Sequence, residues 1–361
     1  MFSIPDHEFM ARALQLARRG LYTTTPNPRV GCVLVRDGRA VGEGWHEKAG
    51  EAHAEVNALR VAGAAARGAT AYVTLEPCAH FGRTPPCIDA LRAAGVARVV
   101  AAMQDPNPLV AGKGLAELGA SGVDVSSGLM EAEAHELNIG FVSRMTRGRP
   151  WLRLKVAASF DGKTALNNGK SQWITGADAR RDAHAWRARS CAILTGIGTV
   201  RDDDPRLTVR DVQTTRQPLR VVVDSRLELP LTAKVLDGGN VLMAAAVQDD
   251  AKIAALVRQG AEVVVVPCAH GKVDLPQLMQ ELARRGINEV LVEAGFKLNG
   301  SLVREGCVDE LLIYQAPILL GDAARGMFDL PELTELSAKR ELEIRELRKV
   351  GRDLRFVARI K

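Results

Sequence analysis

The sequence predicts two α/β domains in tandem, on three observations. Short apolar runs of strand length alternate with longer segments of helical period. The alternation is interrupted at Met145-Thr146-Arg147-Gly148-Arg149-Pro150, a short basic stretch with Gly and Pro, and then restarts. A length of 361 residues is long for one domain and comfortable for two. The expected boundary makes residues 1–147 one domain and residues 148–361 the other.

In the first half, Asp6 to Arg19 has the pattern of an amphipathic helix ended by Gly20. Arg29 to Val35 reads as a buried strand followed by a turn at Asp37-Gly38. Glu51 to Arg67 is Ala-rich and reads as a helix closed by Gly68. Thr70 to Leu75 and Ala97 to Met103 read as strands, with a helix expected from Ile88 to Ala94. In the second half, strands are expected at Leu152 to Ala158, Ala192 to Thr195, Leu219 to Asp224, Val241 to Ala246, Glu262 to Val266 and Glu289 to Glu293. Ala177 to Arg189 and Pro276 to Arg285 read as helices among them. The C-terminal end differs, because Glu310 to Leu320, Glu341 to Leu347 and Leu354 to Ile360 read as strands with little helix between.

Composition narrows the class. No stretch approaches the roughly 20 apolar residues of a membrane helix. The N-terminus carries early acids and lacks a basic segment with an apolar run behind it, which argues for a cytoplasmic protein. Six cysteines in this length are not a disulfide framework. Cys32, Cys191, Cys268 and Cys307 sit in or beside apolar runs and are expected in the core. The net charge of +5 comes from 48 basic and 43 acidic residues without a Lys/Arg block. With aromatics at 4%, a stacking platform for single-stranded nucleic acid is poorly supplied.

His53-Ala54-Glu55, then Pro77-Cys78, then Cys87 supply one imidazole, two thiolates and one free carboxylate. Three protein ligands leave a fourth tetrahedral position for water, the arrangement of a catalytic zinc. The metal lowers its water's pKa toward about 7, and a nearby carboxylate can take the proton. Glu55 is well placed for this. Residues i and i+2 do not share a face in mid-helix, so His53 and Glu55 can converge only near a helix N-terminus. Pro77 before Cys78 suits a strand-to-helix turn whose N–H groups would stabilise the thiolate. The chain departs from the P-C-x-x-C spacing of zinc deaminases, because Ala79 to Pro86 separate the two cysteines. His80 and Arg83 lie in that insertion. Thr25-Pro26-Asn27-Pro28 and His46 are further candidate substrate contacts.

The second half is less explicit. Gly295 to Ser301 follows an expected strand and precedes a helix, where glycines and a helix N-terminus suit a phosphate. It is not G-x-G-x-x-G, so the Rossmann fingerprint fails and a plain Gly-rich turn stays open. Ser159-Phe160-Asp161-Gly162-Lys163-Thr164 contains an Asp-Gly turn.

Thr25 to Val33, the Pro77–Cys87 loop and Gln104-Asp105-Pro106-Asn107-Pro108 closely resemble the bifunctional riboflavin-biosynthesis deaminase–reductase family. That family has this long loop as its own version of the cytidine-deaminase-like motif. In the second half, Ala158 to Ala165, Ser171 to Thr175, Asp203 to Arg210, Val223-Asp224-Ser225 and Glu293-Ala294-Gly295 look like its reductase. The resemblance implies a cytidine-deaminase-like three-layer α/β/α domain followed by a dihydrofolate-reductase-like α/β domain. It implies one zinc per chain in the first and NADPH across the strand ends of the second.

By the same resemblance, Asn27, His46, His80 and Arg83 would contact pyrimidine, ribose or phosphate. Ala157, Trp173, Thr199, Asp203, Ser225 and the loop Gly295, Phe296, Lys297, Leu298, Asn299, Gly300, Ser301 would hold NADPH. Ser171, Arg187, Leu207, Arg210 and Glu293 would hold the substrate, with Arg187 and Arg210 as a phosphate clamp. Asp203 and Lys163 are candidate proton donors. The expected reactions are zinc-dependent deamination of 2,5-diamino-6-(5-phosphoribosylamino)pyrimidin-4-one, then NADPH reduction of the ribosyl group to ribityl. The expected partners are that small phosphorylated pyrimidine and further copies of the chain, as a dimer or tetramer, with no nucleic acid and no membrane. A competing reading is a nucleoside or tRNA-base deaminase with a non-catalytic accessory nucleotide-binding domain.

Overall fold

The first helix is fixed by its cap: Ser3 precedes α1 (Ile4–Ala17), its hydroxyl accepts from the Asp6 N–H, and the Asp6 carboxylate accepts from the Ser3 N–H at 2.7 Å. The structure, a computed structural model, describes residues 2–79, 85–108 and 110–361. They form two units, Met1–Gly148 and Arg149–Lys361.

In the first unit, Asp37 and Gly38 take positive φ, 52° and 73°, and join β1 (Gly31–Arg36) to β2 (Arg39–Trp45). The helix expected from Glu51 to Arg67 is shorter: α2 spans Ala54–Ala62, with extended His53 as its N-cap. Gly63, at φ 53°, ends it, and a 3-10 turn follows over Gly63–Ala66. Then come β3 (Thr70–Val73), α3 (Cys87–Ala93), β4 (Arg98–Ala101), α4 (Lys113–Ala120), β5 (Asp124–Ser127), α5 (Glu131–Leu137) and α6 (Ile139–Arg147). The sheet order is β2-β1-β3-β4-β5. β1 runs antiparallel to β2 and β3, while β3, β4 and β5 are parallel.

Glycines set how closely helices approach this sheet. A Cβ on Gly31 would lie 2.0 Å from the Ala13 carbonyl oxygen of α1. On the opposite face, a Cβ on Gly42 would lie 2.3 Å from the Ala58 oxygen, and one on Gly44 2.4 Å from the Ala58 nitrogen, both in α2. These glycines interrupt the alternation of β2, which is why sequence periodicity gives no strand there.

The second unit contains β6 (Trp151–Ser159), β7 (Lys163–Ala165), α7 (Ala177–Arg189), β8 (Ala192–Gly196), α8 (Ile197–Asp203), β9 (Leu219–Val223), β10 (Val241–Ala245) and α9 (Asp250–Arg258). It continues with β11 (Ala261–Val265), α10 (Leu275–Arg284), β12 (Glu289–Val292), α11 (Phe296–Arg304), β13 (Glu310–Ala316), β14 (Arg325–Gly326), β15 (Leu342–Val350) and β16 (Asp353–Ile360). Nine strands form one sheet in the order β11-β10-β9-β8-β12-β6-β13-β16-β15, and β7 pairs with β14 outside it. The strands from β11 to β13 are parallel, and β16 and β15 close the edge antiparallel. Insertion of the late strand β12 between β8 and β6 makes a topological switch point, where parallel sheets open a crevice at their C-terminal ends. At the opposite end Arg153 is buried between Glu289, at 2.9 Å, and Glu310. Such an ion needs both partners to stay charged away from water.

Candidate functional site

His53 and Cys87 reach one point because each starts a helix: His53 is the N-cap of α2 and Cys87 the first residue of α3. Cys78 follows β3 in irregular chain. The helix start expected at Cys78 therefore lies at Cys87, whose backbone N–H donates to the Cys78 sulfur at 3.3 Å. The His53 Nδ1 stands 3.2 Å from the Cys87 sulfur and 3.6 Å from that of Cys78. All three donor atoms lie within 4.8 Å of one another. Hydrogen bonding from Cys87 holds the Cys78 thiol down to about 4, and the shared proton together with burial pushes Cys87 up. Two thiols competing for one negative charge beside an imidazole form a donor set suited to a zinc ion, which would neutralise both thiolates.

Glu55, the second residue of α2, is 3% exposed. Burial and the nearby Cys78 sulfur push its carboxyl up to about 7. It lines a cavity of about 390 Å³ together with His53, Cys78, Asn27 and His46. The His46 ring donates from Nδ1 to the Ala52 carbonyl at 3.1 Å and accepts at Nε2 from the Asn27 amide at 3.0 Å. Burial lowers its pKa, which keeps this neutral tautomer. The ring stands edge-on to His53, with centroids 5.3 Å apart. His80 and Arg83 lie outside the described residues.

Sequence reasoning missed part of this wall. Glu76, Asp105, Asn107 and Phe141 also line the cavity. The buried Glu76 carboxylate accepts from the backbone N–H groups of Asp105, Gly112 and Leu115 at 3.1, 2.9 and 3.2 Å. It thereby ties the 105–115 segment to the turn before Cys78. Glu76 sits within an apolar stretch, and a charged residue in such a place is itself a signal. Asp105 and Asn107 stood in a recognised motif without an assigned role.

In the second unit, two cavities of about 700 and 680 Å³ meet at the C-terminal ends of the parallel strands. The first is lined by Ala157, Ser171, Trp173, Leu207, Arg210 and Asn299 among the anticipated residues, with Arg187, Glu293 and Asp203. The second is lined by Ser225, Lys297, Leu298 and Ser301, and Thr199, Gly295 and Phe296 border both. Gly300 borders neither: its missing side chain admits the Asp329 carbonyl oxygen, 2.1 Å from where a Cβ would stand. The expected Gly295–Ser301 loop is the start of a helix, with Gly295 as N-cap and Phe296 onward inside α11. Cys268, expected in the core, is half-buried on the second cavity's wall, while Cys32, Cys191 and Cys307 are buried.

Charges in the first cavity are mostly paired. The Arg187 fork grips Glu293 at 2.5 and 2.9 Å and also donates to the Thr208 carbonyl. An open two-arginine clamp is therefore not what the structure holds, because Arg187 is committed to a carboxylate. Burial would raise the Glu293 pKa, but Arg187 and Lys155 outweigh it and hold it down to about 2. Lys155, missed as one polar position in an apolar strand, stands 3.8 Å from Glu293 and lines the cavity. His184, also missed, accepts at Nδ1 from the Arg210 N–H at 3.3 Å. Leu207 holds a left-handed backbone at φ 52°, a conformation few non-glycine residues adopt. The Lys163 ammonium instead reaches the Asp322 carbonyl at 3.2 Å. Trp173 is 67% exposed, with the Arg180 guanidinium over its ring at 4.5 Å.

Known proteins resemble the chain along its length. The model of the cytidine and deoxycytidylate deaminase zinc-binding region matches residues 3–103, and that of the RibD C-terminal domain matches residues 150–356. The riboflavin biosynthesis protein RibD of Escherichia coli (strain K12) is 52% identical over 362 residues, covering 97% of this chain and 98% of that protein. Its counterpart in Haemophilus influenzae is 48% identical, with 98% and 97% covered. Among solved structures, form 1 of Acinetobacter baumannii RibD has a TM-score of 0.93 at 45% identity over 99% of both chains. A diaminohydroxyphosphoribosylaminopyrimidine deaminase/5-amino-6-(5-phosphoribosylamino)uracil reductase of Thermotoga maritima has a TM-score of 0.87 at 31% identity, again over 99% of both.

Proposed function

The chain belongs to the RibD family of bifunctional riboflavin-biosynthesis deaminase–reductases, and on that premise we propose how its halves divide the work. Residues 1–147 hydrolyse the 2-amino group of 2,5-diamino-6-(5-phosphoribosylamino)pyrimidin-4-one, and water and substrate give the keto product and ammonia. Residues 148–361 then reduce the ribosyl group to an open ribityl chain. The carrying observation is the triangle of His53, Cys78 and Cys87 beside a buried Glu55.

Zinc held by those three residues supplies a Lewis acid and an acidified water. Glu55 would carry two protons in turn at its carboxyl, one from the water to the ring nitrogen and one from the newly added hydroxyl to the departing amine. Asn27 and neutral His46 orient the ring. His80 and Arg83 are assigned to the same substrate by family likeness alone. In the second half NADPH supplies the hydride. Ala157 through its backbone, Trp173, Thr199, Asp203, Ser225 and the Gly295–Ser301 segment hold the cofactor. Ser171, Leu207, Glu293 and the Arg187 that fixes it shape the substrate side. Arg210, which has no carboxylate partner among the described residues, takes the phosphate.

No helix of the described residues is long and apolar enough to cross a membrane, which supports a cytoplasmic enzyme. Self-association is supported by edge strand β15, where Leu342, Ile344 and Leu347 are 44%, 61% and 58% exposed. The reading of a nucleoside or tRNA-base deaminase with an inert accessory domain is not favoured, because the relatives match across both halves.

Zinc analysis combined with separate assays of each step tests the proposal. Chelation should stop ammonia release and leave NADPH oxidation by the deaminated intermediate unchanged. Ammonia release that survives complete zinc removal would refute the metal assignment. NADPH that binds but is never oxidised with that intermediate would refute the reductase assignment.

A further inference from the structure

The two cavities of the second unit share five lining residues: Thr199, Asp202, Gly295, Phe296 and Arg325. Of these, Arg325 alone is a cation. It sits on β14, the short strand paired with β7. Its Nη2 donates to the Asn167 carbonyl at 3.1 Å. Gly169, at φ 91°, leaves the guanidinium room, since a Cβ there would meet it at 3.6 Å. Apart from Arg210, which lines the first cavity only, the other arginines on these walls are occupied. Arg187 is held by Glu293 and Arg201 by Glu228, and Arg304 donates to the Asp329 carbonyl and the Ser301 hydroxyl. Arg325 has no carboxylate partner among the described residues, and most of its donor fork is uncommitted.

We propose that Arg325 binds the pyrophosphate of the dinucleotide at the junction of the two cavities. This rests on the reading that the unit binds NADPH. A dinucleotide lying along both cavities places one nucleoside in each and its pyrophosphate where they meet. A guanidinium fork matches two phosphate oxygens at once and supplies the charge that Asp202 at the same junction opposes. Gly295, an N-cap without a side-chain cap, leaves the first N–H groups of α11 at the same border. The Asn167 bond also connects the bound pyrophosphate to the segment that leads to Ser171 and Trp173.

The test is a pair of full-length variants, Arg325→Gln and Arg325→Lys, examined by competition against NADPH oxidation. Two competitors are used: 2′-phospho-ADP-ribose, which carries the pyrophosphate, and 2′-AMP, which does not. A lost charge-assisted contact is worth roughly 10- to 100-fold in affinity. Arg325→Gln should weaken NADPH and 2′-phospho-ADP-ribose by about that factor, and leave 2′-AMP, the pyrimidine KM and deamination within about twofold. Arg325→Lys should recover part of the loss. Equal weakening of both competitors would reduce Arg325 to a support for the Asn167 segment and overturn the proposal. A raised pyrimidine KM with NADPH affinity unchanged would overturn it as well. Wild-type protein that fails to bind NADPH would instead remove the premise, which is a distinct result.

Discussion

The two halves solve the same problem, activating a small polar substrate, with opposite distributions of chemistry. In the first unit the reactive groups converge on one point, with three donor atoms inside 4.8 Å and a buried carboxylate alongside. In the second, polar residues from many segments line two confluent cavities, and the close contacts are mostly between protein charges. A metal site needs its ligands at bonding distance, so the protein must build it locally. A cofactor site needs contacts spread over a long molecule, so the protein contributes a crevice and a few charges. Convergent sites should fail abruptly on single changes, and distributed ones by degrees.

Four experiments test that contrast, the largest effect first. Glu55→Gln should keep zinc and lower deamination on the order of 100- to 10,000-fold, with reduction intact. Loss of both activities in a folded protein would contradict independent sites. Glu293→Gln strands Arg187 and should destabilise the second unit by about 3–5 kcal/mol at pH 7, read from its thermal unfolding. Because the folded Glu293 pKa lies at about 2 against an unfolded 4.5, its contribution is complete above the unfolded value and disappears as pH falls through the folded one. The wild-type advantage should therefore shrink from pH 4.5 down to 2, and a gap independent of pH would refute the linkage.

Gly114→Ala places a Cβ 2.0 Å from the Pro77 oxygen. It should cost about 1–3 kcal/mol in the first unit and weaken zinc retention by displacing the Cys78 turn. Unchanged melting and zinc content would show that the turn yields freely. Arg210→Ala should raise the reductase KM for the pyrimidine about tenfold with kcat and deamination little changed. An unchanged KM removes Arg210 from phosphate binding.

The same contrast governs what the sequence revealed. His53, Glu55, Cys78 and Cys87 were legible because metal ligation demands particular residue types at short spacing. Glu76 and Phe141 were not, because a carboxylate that binds backbone N–H groups and an aromatic on a helix carry no spacing of their own. In the second unit the strands were legible from apolar runs, yet Lys155 was lost within one. The Gly295–Ser301 segment was read as a loop because Gly suits both a turn and an N-cap, and only packing against Asp329 decides between them. Pairing of Arg187 with Glu293 joins residues 106 positions apart, beyond any local pattern.

Gly42 and Gly44 carry a consequence for how variation in this chain should be interpreted. Each lets β2 lie against the backbone of the helix that begins at His53 and Glu55. A single added methyl at either position would push that helix outward, carrying His53 and Glu55 with it, although the sequence would still contain every ligand and the proton carrier. A survey that scores variants by whether the motif residues survive would pass such a protein as active. Its deaminase would nonetheless be silent, and a normal reductase assay on the same sample would conceal the defect.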